Sequence, residues 1–346
     1  MKRITRLKTP IHFRSWAAVG GFEERRGPLG DKFDFCDTSD KFGQKTWEIA
    51  EAEMGRVALN TSLSKAGLSH SDLELLVAGD LQNQCVASST GLSSFGIPFL
   101  GVYGACSTCT ESIMMLSSFI DSSDSMKIGA ALTTSHNSAA ERQFRTPVEY
   151  GGQRAPTAQW TSTAAGAFLL EKGEGEVMIT EYMPGRIVDG STADGANMGG
   201  AMAFAAFDSI SAYFEESGED IHNIDYIVTG DLGRVGSDIL RELLSRDIPG
   251  AERLHTDCGL LLYDMKKQDV HSGASGCGTS ASVLACHFLP LLRDGMVRRM
   301  LFLSTGALMS PSSLLQGENI YGIAPLIRLE SAASKSNEKN KEKTTE

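Results

Sequence analysis

Two apolar runs of the chain close on the same three residues. Residues 75–81 read LLVAGDL and residues 226–232 read YIVTGDL, with Gly79 and Gly230 separated by 151 positions. Each run is apolar without clear alternation, the pattern of a parallel strand buried on both faces and ending in a sharp loop. A second pair follows in the same order. Residues 104–112, GACSTCTES, open a helix with Cys109, Ile113, Leu116 and Ile120 on one face. Residues 273–282, GASGCGTSAS, open another with Ala281, Leu284, Phe288 and Leu291 on one face. The offset is now 169 positions, so the second half carries a modest insertion. Each helix leads into a strand, Ile128 to Thr134 and Met300 to Ser304, followed by SHN at 135–137 and TGA at 305–307.

Two pairs in one order imply a duplicated α/β unit with mainly parallel sheets covered by helices. Trp47, Ala50, Met54 and Val57 mark a helix that ends near Gly67, and Met202 to Ser217 reads as its counterpart before the second GDL strand. Residues 164–170 and 320–329 read as late strands of the two halves. The expected organisation is an N-terminal arm and first-half entry over 1–45, a first half over 46–200 and a second half over 201–330. The tail, SAASKSNEKNKEKTTE at 331–346, has almost no core-forming side chain and is expected to be disordered.

Composition narrows this picture. With 346 residues, 36 of them Gly and only 7% aromatic, the chain suits tightly packed α/β layers. A net charge of −11 disfavours nucleic acid and anionic membrane as partners of the body. The start differs, with Lys2, Arg3, Arg6 and Lys8, and reads either as a solvated arm or as a weak tether to anionic lipid. No run approaches the roughly 18 apolar residues of a membrane span, and no signal peptide is evident. Seven cysteines without an export signal point to a reducing compartment and no structural disulfides.

Several residues could carry chemistry. Cys106 begins a helix, where amide groups and the positive dipole end favour a thiolate; alternatively it is a small buried side chain. Cys109 forms a C-x-x-C with it, but lies on the apolar face of its helix and reads as core. His136 and Asn137 follow a strand end and could supply a base or hydrogen bonds to a ligand, or be structural. The segment 140–156 carries Arg142, Arg145, Arg154, Gln143 and Gln153, a set suited to a carboxylate ligand or to pairing with Glu141 and Glu149. Asp80, Asn83 and Gln84 sit at the end of the first GDL strand and Asp231 at the second, where the aspartates are expected to orient loops through backbone amides. The glycines of 273–278 form no dinucleotide fingerprint, and neither a P-loop nor H-E-x-x-H is present.

A duplicated α/β unit with Gly-Ala-Cys before a central helix resembles the thiolase superfamily, including its ketoacyl-synthase-III-like enzymes. GPLG (27–30), AGDLQNQ (78–84), FLGVYGACST (99–108), SHNSAAERQFR (135–145), EYGGQ (149–153) and LSTGALMSP (303–311) more closely resemble the stage V sporulation protein AD family. The resemblance runs from about residue 10 to 330 and departs from the family pattern at Cys109, where a smaller hydroxyl residue is expected. It implies a thiolase-like fold, with duplicated halves in a layered α-β-α-β-α architecture.

It also implies a function. Cys106 falls on the nucleophile position, while condensing enzymes further need a His in the second-half strand loop and an Asn or His in the second-half glycine loop. The matching stretches read Gly230-Asp231-Leu232 and Cys277-Gly278-Thr279, so the positions at Gly230 and Gly278 are empty. The expectation is a non-catalytic protein without cofactor that binds dipicolinic acid (pyridine-2,6-dicarboxylate), with or without calcium. The implied ligand set is Asp80, Asn83, Gln84, Cys106, His136, Asn137 and Arg142. Implied partners are the membrane subunits of a spore dipicolinate channel at the inner spore membrane, and a second copy of the chain. The alternatives are an acyl-transferring or condensing enzyme using Cys106 and His136, and a scaffold whose pocket is vestigial.

Overall fold

The computed structural model describes residues 2–144 and 154–333. Arg145, Glu149, Gln153 and the tail beyond 333 lie outside the described residues.

The first half contributes strands β1 (Thr5–Gly20), β2 (Leu76–Gly79), β3 (Phe99–Gly101), β4 (Ile128–Ser135) and β5 (Ala164–Lys172). The second contributes β6 (Val177–Met183), β7 (Tyr226–Thr229), β8 (His255–Asp257), β9 (Arg299–Leu303) and β10 (Leu326–Ser331). Along the main sheet they run β8-β7-β9-β10-β6-β1-β5-β4-β2-β3, with the short Phe35–Cys36 strand beside β1. From either edge inward the halves share one order: third, second, fourth, fifth and first strand of the half. The two first strands, β1 and β6, meet as an antiparallel seam. The duplication read from the GDL runs is thus a repeat of topology. By strand order the change of half falls between residues 172 and 177, earlier than the 200/201 boundary expected from the sequence.

The sheet is mixed, which corrects the expectation of mainly parallel strands. β2, β3 and β4 run parallel, as do β7, β8 and β9, but β5, β10 and the seam strands pair antiparallel with one another and with β4 and β9, β1 being parallel only to the short Phe35–Cys36 strand. A strand buried on both faces has the same apolar pattern in either direction, so its sense is not written in its composition.

The basic start is not a free arm, although Lys2, Arg6 and Lys8 stay exposed. Arg3, half-buried, pairs with Asp208 at 2.8 Å, and Arg6, within β1 at the centre of the sheet, pairs with Glu181 at 2.8 Å.

Helices α1 (Trp47–Ala66), α2 (Thr108–Ser122), α3 (Asn137–Phe144), α4 (Met198–Ser217), α5 (Gly233–Asp247) and α6 (Cys277–Val283) complete the layers. Thr46 caps α1 by accepting from the Ile49 amide, and Gly67 closes it at φ +69°, a left-handed cap that favours glycine. Among the described residues the core separates into three large apolar clusters and a small fourth around Cys106. In the first, Ile113 and Leu116 of α2 and Ala281 of α6 meet Val77, Val228 and Phe302. In the second, Ala50 and Met54 of α1 cover Leu76 and Ala78. In the third, Met202 and Ile210 of α4 and Leu240 of α5 cover Ile227 and Leu301. Adjacent residues of one strand, such as Leu76 and Val77, therefore feed different clusters. Strands bear helices on both faces, and α2 and α6 fill the layer between the halves, giving the α-β-α-β-α arrangement. No helix among the described residues is long and apolar enough to cross a membrane.

Candidate functional site

The two GDL turns begin alike and diverge. At Gly79 an added Cβ would lie 1.9 Å from the Val102 carbonyl oxygen, so the turn admits only glycine. The next residue, Asp80, stays within its own loop, accepting from the Gln82 amide (2.9 Å), the Ser88 amide (2.8 Å) and the Ser88 hydroxyl (2.6 Å). Asp231 instead reaches towards the glycine-rich turn before α6. It accepts from the Gly276 amide (2.9 Å), the Ser275 hydroxyl (3.2 Å) and the Thr305 hydroxyl (3.0 Å), and lies beside the Cys106 thiol. Both are fully buried and orient loops as the sequence suggests, but only Asp231 faces the nucleophile position.

Cys106 follows Ala105, which holds φ at +53°, a left-handed conformation that costs a non-glycine residue about 1 kcal/mol or more. The turn is tied by hydrogen bonds from Thr108 Oγ1 to the Ala105 carbonyl (2.6 Å) and from Ser107 Oγ to Glu111 (2.7 Å). The expectation that a helix start would favour thiolate does not hold. Burial, and next the Asp231 carboxylate, push the Cys106 thiol well above its ordinary range. A helix end contributes only ~0.3–1 kcal/mol in the opposite sense. Cys109 is fully buried within the central cluster, as its place on the apolar face implies.

The positions described above as empty also need correcting. At Gly278 an added Cβ would fall 2.2 Å from the Ala164 carbonyl oxygen and 2.6 Å from Ser135 Oγ; at Gly230 it would fall 3.0 Å from the Ser304 Cα and the Thr305 nitrogen. These are packing glycines, Gly278 where a helix backbone touches a strand and Gly230 where two strand ends meet. From the two second-half loops Asp231, Ser275 and Cys277 approach Cys106 with their side chains and Gly276 with its backbone amide. Cys277 packs with Cys106, Leu81, Ala140 and Phe144, and its Sγ donates to the Thr134 carbonyl (2.9 Å). A carboxylate, a hydroxyl and a thiol thus stand where condensing chemistry calls for an imidazole and a side-chain amide.

His136 is not brought to Cys106. Along β4 the side chains alternate. Thr134 donates to Glu51 on α1 (2.9 Å), Ser135 accepts from the Gly278 amide (3.1 Å), and His136 returns to the α1 side. Its Nε2–H donates to the Asp40 carbonyl (2.9 Å), its ring centroid lies 5.3 Å from that of Trp47, and its Nδ1 is buried without a partner. Burial lowers its pKa, so the ring is held neutral. The Asn137 side-chain amide donates to the Thr161 carbonyl (3.0 Å), and Arg142 pairs with Glu48. The Cys106–His136 pair of the enzyme alternative is therefore not assembled.

Asn83 and Gln84 occupy a different place. With Cys85, Phe99, Gly101 and Tyr103 they line an open cleft of about 490 Å³ beside edge strand β3. Gln84 and Cys85 hold φ at +63° and +51°, two consecutive left-handed residues at roughly 1–3 kcal/mol each, sustained only because the surroundings impose them. The Tyr103 hydroxyl donates to Asn83 Oδ1 (3.0 Å); Gln143 accepts from the Asn83 amide (2.9 Å) and donates to the Leu81 carbonyl (2.6 Å). Phe99 and Tyr103 are 40% and 50% exposed, so their rings are available to a ligand.

The seven residues singled out from the sequence thus fall in three places. Asn83 and Gln84 line the cleft with Asp80 behind them, Cys106 lies in the thiol pocket, and His136, Asn137 and Arg142 are engaged in local contacts. Sequence reasoning missed Phe99, Tyr103, Cys277 and Glu51. The two aromatics stand inside the FLGVYGACST motif, which was the available signal. Among the described residues no group of three or more His, Cys, Asp or Glu is placed to hold a metal ion.

Comparison with known proteins agrees with this fold. The profile of the family described as Stage V sporulation protein AD (SpoVAD) matches residues 1–330. The stage V sporulation protein AD of Bacillus subtilis (strain 168) is 40% identical over 327 residues, covering 94% of this chain and 96% of that protein. Among solved structures, a single-residue variant of Xanthomonas campestris OleA superposes with a TM-score of 0.58 at 12% identity, over 94% of this chain and 99% of that one. The 3-oxoacyl-[acyl-carrier-protein] synthase III of Aquifex aeolicus VF5 gives 0.57 at 13% identity, over 92% and 99%. AbyA1, a tetronic acid condensing enzyme, gives 0.57 at 15% identity, over 93% and 100%. The fold is thiolase-like, and its structural neighbours include condensing enzymes.

Proposed function

The chain belongs to the stage V sporulation protein AD family, and from that premise we propose that it is a non-catalytic receptor for dipicolinic acid. It takes up the ligand for the developing spore and releases it at germination, working with channel subunits at the inner spore membrane. The observation that carries this reading is the cleft between Asn83–Cys85 and Phe99–Tyr103. A flat pyridine ring fits against the exposed faces of Phe99 and Tyr103, and the Asn83 and Gln84 amides can donate to its carboxylates.

Charge favours the calcium chelate over the free dianion. The described lining residues include no Lys or Arg, and the whole chain carries a net −11. A bare dianion would lose hydration without compensation, whereas its calcium complex enters neutral. Among the described residues edge strand β3 pairs only with β2, so a second copy of the chain would add alongside the cleft. The enzyme alternative is weakened because Cys106 faces Asp231, not His136.

Calorimetric titration with calcium dipicolinate should give saturable binding by the wild type. Tyr103→Ala, which loses a stacking face worth about 1.4 kcal/mol, should bind roughly tenfold more weakly, and Cys106→Ala should bind like the wild type. Absence of saturable binding to the wild type would remove this reading.

A further inference from the structure

The cleft wall at 82–85 is held from several sides. The Gln82 backbone amide donates to Asp80 (2.9 Å), the Gln82 side chain donates to Oε2 of Glu51 on α1 (2.7 Å), and Cys85 Sγ donates to the Val102 carbonyl (3.3 Å). Gln143 of α3 adds something different. Its side-chain amide meets two backbone groups: Oε1 accepts from the Asn83 N–H (2.9 Å) and Nε2 donates to the Leu81 carbonyl (2.6 Å). A backbone N–H can only donate and a carbonyl can only accept, so the Gln143 amide has a single permitted orientation.

That orientation is passed along the cleft. Gln143 Nε2 also lies 3.4 Å from the Tyr103 hydroxyl, which accepts its second N–H and keeps one proton of its own to give. The hydroxyl gives that proton to Asn83 Oδ1 at 3.0 Å; the Leu81 carbonyl, 3.5 Å away, is already served by Gln143. With its oxygen engaged, exposed Asn83 is left with both Nδ2 hydrogens, which no described residue accepts.

We infer, resting on the ligand site proposed above, that Gln143 is a positioning residue: through the Tyr103 hydroxyl it sets the Asn83 side chain with its oxygen engaged and its N–H groups offered to the ligand. The polar end of the cleft is thereby a donor site, suited to a carboxylate and unsuited to an amine or any other group that must donate. A free Asn83 would turn its amide over at little cost, because its two ends differ only in hydrogen bonding. Fixing it beforehand removes part of the ordering cost of binding. Asp80, Glu51 and Val102 hold the wall independently, so Gln143 decides which end of Asn83 meets the ligand, not whether the wall is there.

Tyr103→Phe isolates this role. It keeps the aromatic face and the hold of Gln143 on residues 81 and 83, and removes only the hydroxyl between Gln143 and Asn83. Calorimetric titration with calcium dipicolinate should show binding roughly tenfold weaker in Tyr103→Phe and in Gln143→Met, a side chain of similar length without an amide. In an Asn83→Ala background neither change should weaken binding further, since both act through Asn83. Wild-type affinity in Tyr103→Phe, or losses that add to that of Asn83→Ala, would overturn the proposal.

Tyr103 reports the same contact without any ligand. Burial raises its pKa, the hydrogen bond from Gln143 opposes that rise, and Asp80, Cys85 and Cys277 reinforce it when charged. In NMR of isotopically labelled tyrosine, with Tyr103→Phe identifying the signal, Tyr103 should therefore ionise at higher pH in Gln143→Met than in the wild type. An unchanged midpoint overturns the role of Gln143. Failure of calcium dipicolinate to bind the wild type counts instead against the proposed function, and this titration then decides the role of Gln143 alone.

Discussion

Gly278→Ala is expected to destabilise the protein by about 3 kcal/mol or more, enough to prevent folding in a chain of ordinary marginal stability. The new Cβ would sit 2.2 Å from the Ala164 carbonyl oxygen and 2.6 Å from Ser135 Oγ, and neither α6 nor β5 can move without disturbing the central layer. Gly195→Ala is the matched comparison. There the nearest atoms are flexible ends of Leu314 and Met309, and the change should stay within about 0.5 kcal/mol. Urea denaturation midpoints of the two variants check this. A mild Gly278→Ala would mean that the position is open to a side chain, and that its lack of a catalytic amide could not be ascribed to packing.

The second large effect is at Asp231. Asp231→Ala removes the acceptor for the Gly276 amide and for the Ser275 and Thr305 hydroxyls, all buried, at about 1–3 kcal/mol for each donor left unpaired. A loss of about 3 kcal/mol or more in unfolding free energy is expected. Asp231→Asn separates charge from shape. It keeps an oxygen acceptor but withdraws the negative charge that helps hold the Cys106 thiol protonated. Alkylation of Cys106 by iodoacetamide near pH 8 should therefore be slow in the wild type and severalfold faster in Asp231→Asn. Equal rates would show that burial alone controls the thiol.

Much of the frame was legible in the sequence because local pattern and tertiary role coincide. The GDL runs are parallel strands, the Cys109–Ile120 face packs in the central cluster, and Gly67 ends α1. Strand direction was not legible, since β5 is apolar on both faces and β10 alternates with Arg328 and Glu330 on one face, patterns that read alike in either sense. The role of the start was hidden for a different reason. Arg3 looks solvated until its acidic partners Asp208 and Glu216, far along the chain, are brought beside it.

The site was legible in its motifs but not in its assignments. Alternation along β4 sends His136 away from Cys106, a consequence that appears only once Glu51 and Gly278 are known to lie on opposite sides of the strand. Glu51 itself stands between Ala50 and Ala52, both buried, so a carboxyl in that row was a visible anomaly. Its partner Gln82 comes from another element, and local pattern does not carry that pairing.

On the proposed reading Cys106 is no nucleophile: burial and Asp231 hold it as a thiol, and the second-half loops bring it neither an imidazole nor a side-chain amide. Intact-mass measurement after incubation with a medium-chain acyl-CoA tests this most directly. The wild-type mass should remain unchanged. An acyl adduct that forms on the wild type and disappears in Cys106→Ala would contradict the account.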